Sequence, residues 1–260
     1  MAKKSKAGDI RIGNIRVGIG GWTFEPWRGV FYPHDLVQRR ELEFASRAMT
    51  SIEINGTYYS SFKPDSWRKW HDETPHDFVF AVKASRFCTN RKVLAGAAES
   101  VGKFLNQGMT ELGDKLGPIN WQFMGTKKFD AEDFGAFLDL LPDELGGLRL
   151  RHAVEVRNQS FATQAFYDLC AAHNVAIVYG KTEDEDERWP EIDEPTADFT
   201  YARFMSSHEH LDTGVTDEEL SGFAKQTRAW AKRGDVFAYF IAGAKVRNPA
   251  AAQALISKLR

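Results

Sequence analysis

Two cysteines in 260 residues, Cys88 and Cys170, are too few and too far apart for a disulfide framework, and no CxxC spacing marks a structural zinc site. A reducing compartment suits such a chain best. No run of about 18 apolar residues occurs that could span a bilayer, and the basic opening MAKKSKAGDIRIGN lacks the apolar core of a secretory leader. The expectation is a cytoplasmic protein with no membrane partner. Charge of one sign is missing as well: 34 Lys and Arg stand against 36 Asp and Glu, a formal net charge of −2. That balance argues against a protein devoted to neutralising a phosphate backbone, so nucleic acid is a weak candidate partner. A dinucleotide fingerprint is absent too. GIGGW at 18–22 fails the GxGxxG spacing, because Trp22 to Glu25 hold no third glycine and Pro26-Trp27 interrupts the helix start. The cofactor, if there is one, is left unknown. There is no internal repeat and no Gly/Ser or Pro-rich linker to divide the chain.

What is present is 43% hydrophobic residues arranged in alternating periods. Strand-like runs stand at RVGIG (16–20), SIEIN (51–55), FVFAVK (78–83), PINWQF (118–123), HAVEVR (152–157), NVAIVYG (174–180), FTYARF (199–204) and VFAYFI (236–241). Helical patterns lie between them at roughly 35–49, 64–72, 92–112, 130–141, 160–173 and 216–233, with caps at Asp130, Ser160 and Thr216. The 160–173 pattern puts Phe161, Ala165, Leu169 and Ala172 on one stripe. Eight strands with covering segments in about 230 residues predict an α/β fold, a single (β/α)8 TIM-like barrel, over residues 15–260. Residues 1–14 read as a mobile basic tail, and TEDEDERWPEIDEPTAD (182–198) as a solvated insertion at the rim.

Several of these strands carry charge where a buried strand should carry hydrocarbon. Alternation puts Glu53 with Asn55, Lys83 with Ala81, Glu155 with Arg157, and Arg203 with Tyr201 on one face each. Burying unpaired ionised groups costs several kcal/mol, so such residues on unrelated strands must meet one another or a ligand. All fall at strand C-terminal ends, where barrels of this class place their sites. Glu53, Asn55, Lys83, Gln122, Glu155, Arg157 and Arg203 should therefore converge on one mouth, walled by Trp22 to Trp27 and Tyr58-Tyr59. The competing reading is a salt-bridge layer that only fills the barrel. Three cations against two carboxylates favour a small anionic or sugar-like ligand. Glu155, Glu53 and Lys83 are the candidate catalytic residues, with Lys83 able to act as a point charge or a nucleophile. Arg157, Arg203, Asn55, Gln122, Trp22, Trp27 and Tyr58 are the candidate binding residues. No metal site is assigned, since the only compact set, His208-Glu209-His210, reads as surface; Gly243-Ala244-Lys245 is a further weak phosphate candidate.

The words GIGGWTFEPWRGVFYP (18–33), SIEINGTYY (51–59), TPHDFVFAVKASRFCTN (74–90), LGPINWQF (116–123), HAVEVRNQSF (152–161) and YARF (201–204) together resemble the bacterial and archaeal domain-of-unknown-function 72 family, over about residues 15–252. The resemblance implies a TIM-like barrel with its site at the strand ends, and no assigned reaction. It supports Trp22, Trp27, Glu53, Asn55, Lys83, Gln122, Glu155, Arg157 and Arg203. The chain departs from the family at Thr89-Asn90, Gly180-Lys181, Met205-Ser206 and Ala242-Gly243. An enzyme of hydrolase, lyase or isomerase type is the leading expectation. A catalytically inactive ligand-binding or regulatory barrel and a nucleic-acid-processing protein are the alternatives.

Overall fold

The structure is a computed structural model that describes residues 13–182 and 189–260. The expected tail therefore lies, from residue 1 to 12, outside the described residues, as do residues 183–188 of the acidic insertion. The strands are β1 (Ile15–Gly20), β2 (Ser51–Ile54), β3 (Val79–Lys83), β4 (Leu116–Gln122), the hairpin β5 (Glu144–Leu145) and β6 (Leu148–Arg149), β7 (His152–Glu155), β8 (Ala176–Ile177), β9 (Tyr179–Lys181), β10 (Phe199–Phe204) and β11 (Asp235–Phe240). All but the hairpin form one parallel sheet in the order β8-β7-β4-β3-β2-β1-β11-β10-β9. Its two ends, β8 and β9, are separated in the chain by Val178 alone, so one interrupted strand closes the ring and the sheet is a barrel. At the interruption the Thr196 hydroxyl stands in for a neighbouring strand, accepting from Ile177 N at 3.2 Å and donating to Val175 O at 2.7 Å.

The alternation that marked the strands sorts their side chains into two cores. Val17, Ile19, Ile52, Ile54, Phe80, Val82, Ile119, Trp121 and Val154 face outward into the layer between sheet and helices. Inside the barrel, aromatics from one side (Phe199, Tyr201, Phe237, Tyr239) fill the space left by Ala81, Ala153 and Ala176 on the other. Gly18 permits close approach of β1 to β2, since a Cβ there would lie 1.7 Å from the Ser51 carbonyl oxygen.

The helices are α1 (Glu41–Ala48), α2 (Pro64–Glu73), α3 (Arg86–Thr89), α4 (Ala98–Leu105), α5 (Ala131–Leu138), α6 (Gln164–Ala172), α7 (Asp217–Ala231) and α8 (Asn248–Leu259). Asp130 and Thr216 cap α5 and α7 as expected, the latter through a full capping box. Ser160 does not cap α6: its hydroxyl accepts from Phe129 N at 2.8 Å, and Thr163 does the capping. The later start rotates the buried stripe to Phe166 and Cys170. The long pattern at 92–112 is broken into α4 and flanking 3-10 turns, where Gly108 and Gly113 take positive φ. No helix follows β9 among the described residues. Residues 189–198 cover that flank instead: Ile192 is buried and the Asp193 carboxylate accepts from the Trp230 indole at 2.7 Å. That stretch of the acidic insertion docks through Pro190, Ile192 and Thr196 while Glu191, Asp193, Glu194, Pro195 and Asp198 stay exposed. No helix among the described residues is long and apolar enough to cross a membrane.

Candidate functional site

The register sets Glu53 beside Ala81, Lys83 beside Asn120, Gln122 beside Glu155 and Arg203 beside Tyr239. Charged tips from four strands and amides from β4 thus meet near the C-terminal end of the barrel interior. Arg203 reaches across to two carboxylates, donating from Nη2 to Glu53 Oε1 at 3.1 Å and from Nη1 to Glu155 Oε2. The Asn120 amide bridges the same two, 3.3 Å from Glu53 Oε2 and 3.1 Å from Glu155 Oε2. The Tyr201 hydroxyl donates to Glu53, and Arg157 grips Glu155 Oε1 from Nε at 2.9 Å and Nη2 at 2.8 Å. Glu53, Asn120, Glu155, Tyr201 and Arg203 are all buried. Below them Tyr239 and Ser51 share a hydrogen bond of 2.7 Å.

Each group's proton affinity follows from this arrangement. Burial pushes the Glu155 carboxyl up, but the charges of Arg203, Arg157 and Lys83 and the Asn120 amide overcome it and hold it at about 2. Burial works against the Arg203 charge, and Glu155 and Glu53 more than restore it, so the guanidinium stays protonated. Burial and the neighbouring Glu53 keep the Tyr201 phenol protonated and a donor. Glu155 is therefore held as an anion at neutral pH. A depressed carboxylate contributes stability that is present above its unfolded pKa and lost as pH falls through the folded one. From pH 4.5 down to about 2, this residue should account for a loss of about 3 kcal/mol in unfolding free energy. Urea unfolding against pH checks it: Glu155→Gln should flatten the acid limb, and an equally steep limb in the variant would assign the loss elsewhere.

Lys83 lies beside this cluster without joining it. Among the described residues it makes no ion pair, and its Nζ sits 4.6 Å above the centre of the Tyr58 ring. Burial and repulsion from Arg203 lower its pKa from 10.5 to about 8, against the pull of Glu53 and Glu155. The Thr57 hydroxyl lies 2.6 Å from the Lys83 carbonyl and 3.0 Å from that of Ile54, clamping the ends of β2 and β3. Thr57→Val should cost about 1–2 kcal/mol in urea denaturation by leaving a buried carbonyl short of a donor; an unchanged midpoint would remove the clamp from the account.

The remaining sequence candidates divide. Arg157 keeps 22% of its side chain exposed and stacks 3.8 Å from the Trp189 ring centre, so it reaches the mouth. Gln122 and Asn55 each bury a side-chain oxygen with no partner. Trp22 instead packs edge-on against Trp70 and Phe80, and Trp27 is buried among Phe24, Phe31 and Tyr32 with its indole donating to the Lys245 carbonyl at 2.9 Å. Trp27 is core, and Trp22 is half-buried against that core. The weak phosphate candidate after β11 is also occupied: the Ala244 N–H donates to the Ser207 carbonyl at 2.9 Å and the Lys245 amine lies 4.1 Å over the Phe24 ring. His208 meets Glu219 at 3.5 Å, and among the described residues no three His, Cys, Asp or Glu side chains group to hold a metal. Asn120, Tyr201 and Trp189 were not expected at the site. Asn120 shares the inner face with Gln122 two residues on, a signal present in PINWQF; nothing local marks Trp189.

A family model described as "Protein of unknown function DUF72" matches residues 16–260. A solved DUF72 family protein from Thermotoga maritima superposes with a TM-score of 0.75 at 23% identity, covering 94% of this chain and 98% of that one. One from Enterococcus faecalis gives 0.73 at 15% identity, covering 96% and 100%. The UPF0759 protein YecE of Escherichia coli K12 is 27% identical over 150 residues, 56% of this chain and 50% of that protein. The chain spans about half the length of the curated relatives it matches.

Proposed function

The chain belongs to the DUF72 family of TIM-like barrels, and on that premise we propose that it is a cytoplasmic enzyme acting on a small anionic, carbohydrate-like molecule at the barrel mouth. Lys83 moves the proton in this reading, in a reaction of the isomerase or lyase kind. The observation that carries it is the Lys83 amine beside the cluster, which sits over the Tyr58 ring with its pKa lowered to about 8 and, among the described residues, has no carboxylate partner. Arg157 anchors the ligand's negative group, with Gln122 and Asn55 supplying amides to its hydroxyls. The Glu53–Arg203–Glu155 cluster is the floor against which the ligand lies, with both terminal nitrogens of Arg203 on the carboxylates and its Nε without a partner. Tyr58 supports the amine from below, and Trp22 and Trp27 shape the rim from within the core. The single domain of residues 15–260 serves this one site.

The test is protection of Lys83. Acylation by acetic anhydride, followed residue by residue by mass spectrometry, should give Lys83 a titration midpoint of about 8. A panel of hydroxy acids, keto acids and sugar acids should contain members that slow it. If none slows it, the mouth is not a ligand site and the charge cluster is a structural layer. Protection without turnover would favour an inactive binding barrel, for which the ion pair of Arg203 with Glu155 speaks.

A further inference from the structure

Beside the mouth, between the segments that follow β3 and β4, the surface opens into a cleft of about 500 Å³. Thr89, Asn90, Arg91, Lys92, Lys127 and Lys128 line it, with Met124 on its lip. Four cations line this cleft and no carboxylate does, whereas in the mouth two carboxylates offset the cations. Two of the four are fixed by the fold. Lys127 Nζ donates to Asp133 Oδ2 at 2.7 Å and to the Lys92 carbonyl at 2.9 Å, and the terminal nitrogens of Arg91 hold the Gly96 carbonyl and, at 3.4 Å, Ser100 Oγ. Lys92 and Lys128 are exposed and make no ion pair among the described residues.

A second observation comes from beneath the cations. Thr89 is only 2% exposed, and its hydroxyl has no hydrogen-bond partner; neither has Nε of Arg91. Buried polar groups are nearly always satisfied, because leaving one unpaired costs free energy of the order of a lost hydrogen bond. Two unused donors, buried on residues that line a cationic cavity, are what an oxyanion would satisfy. The cleft is also coupled to the mouth. The Asn90 amide donates to the Tyr58 hydroxyl at 3.2 Å, on the ring that carries Lys83, and Asn158, next to Arg157, holds the Gly125 carbonyl at 2.7 Å.

We propose that this cleft is a phosphate subsite, built to take the phosphoryl group of a phosphorylated small molecule whose other end lies against Lys83. It rests on the proposed mouth only for the identity of that other end. A phosphoryl group offers the several acceptor oxygens that Thr89, Arg91, Lys92 and Lys128 can serve together, and the volume suits a small metabolite more than a polymer.

The experiment is calorimetric titration of the full chain with inorganic phosphate and pyrophosphate at low and at physiological salt. Saturable binding is expected, weakening with salt. Lys92→Ala with Lys128→Ala should lower affinity about tenfold or more, and Thr89→Val by several-fold, with thermal unfolding unchanged in the lysine variant because both side chains are exposed. No binding by the wild type, or equal affinity in the double variant, would overturn the assignment. So would single-stranded DNA that binds with affinity growing with length while phosphate alone does not bind, which would make the surface a nucleic-acid track. Since neither turnover nor Lys83 chemistry is read, failure here leaves the mouth reading standing, and failure there leaves this one standing.

Discussion

Arg203→Met should lower the unfolding free energy at pH 7 by about 3–5 kcal/mol in urea denaturation, because it strips the central cation from two buried carboxylates. Glu53 and Glu155 both face the guanidinium, and the Asn120 amide holds one oxygen of each, at 3.3 Å and 3.1 Å. With the cation gone they repel across one amide group in a site closed to water. A further signature separates this from simple loss of packing. In the wild type, acidification below pH 4.5 removes stability, because Glu155 is held at about 2. In the variant its largest opposing charge is gone, and the folded pKa rises towards the unfolded one, held down only by Arg157, Lys83 and the Asn120 amide. Acidification below pH 4.5 should then remove less stability than in the wild type. Arg203→Lys should fall between, keeping the charge but losing the fork that serves two carboxylates at once. Replacing Glu53, Glu155 and Arg203 together by apolar residues of similar volume should be close to neutral for stability. Such a variant that folds well but no longer protects Lys83 with any ligand would show that the cluster is kept for the site and not for the fold.

Strand positions and their facing were legible in the sequence because a period of two is a local property. SIEIN, AVEVR and YARF each announced a charged inner face, and the register does bring Glu53, Glu155 and Arg203 together. Periodicity says which face a residue takes, not how deep it sits or what satisfies it. Arg203 was expected to anchor a ligand, yet its terminal nitrogens are occupied by Glu53 and Glu155 and it is sealed from solvent. Trp22 and Trp27 follow β1 closely enough to suggest a wall, but where a large ring turns is decided by tertiary neighbours, here Trp70 and Tyr32. The missing cover after β9 was hidden for the same reason. Nothing in RWPEIDEPTAD has helical period, and its role emerges only when Ile192 and Asp193 dock beside Trp230. The break at Val178 depends on Thr196, eighteen residues further along the chain.

Lys83→Met should reduce turnover of any substrate found through Lys83 protection by about 10²- to 10⁴-fold, the range for losing a positioned acid–base group. The wild-type rate should rise with pH and level off above about 8, as the amine becomes neutral and able to accept a proton. Lys83→Arg should be nearly as inactive, since it keeps the charge but cannot release its proton at such pH. Stability makes the test clean. Burial depresses the Lys83 pKa, so below about 8 the fold carries a charge it disfavours, and that cost is relieved only as pH rises from about 8 towards 10.5. Lys83→Met removes the charge and should be at least as stable as the wild type at pH 7, which rules out unfolding as the cause of lost activity. A protein that gains stability when one strand-end lysine is removed is holding that lysine for something other than the fold. If Lys83→Met turned over at the wild-type rate, or if the wild-type profile ran flat through pH 8, the proton would have to be carried by another group and the amine would be an electrostatic fixture of the mouth.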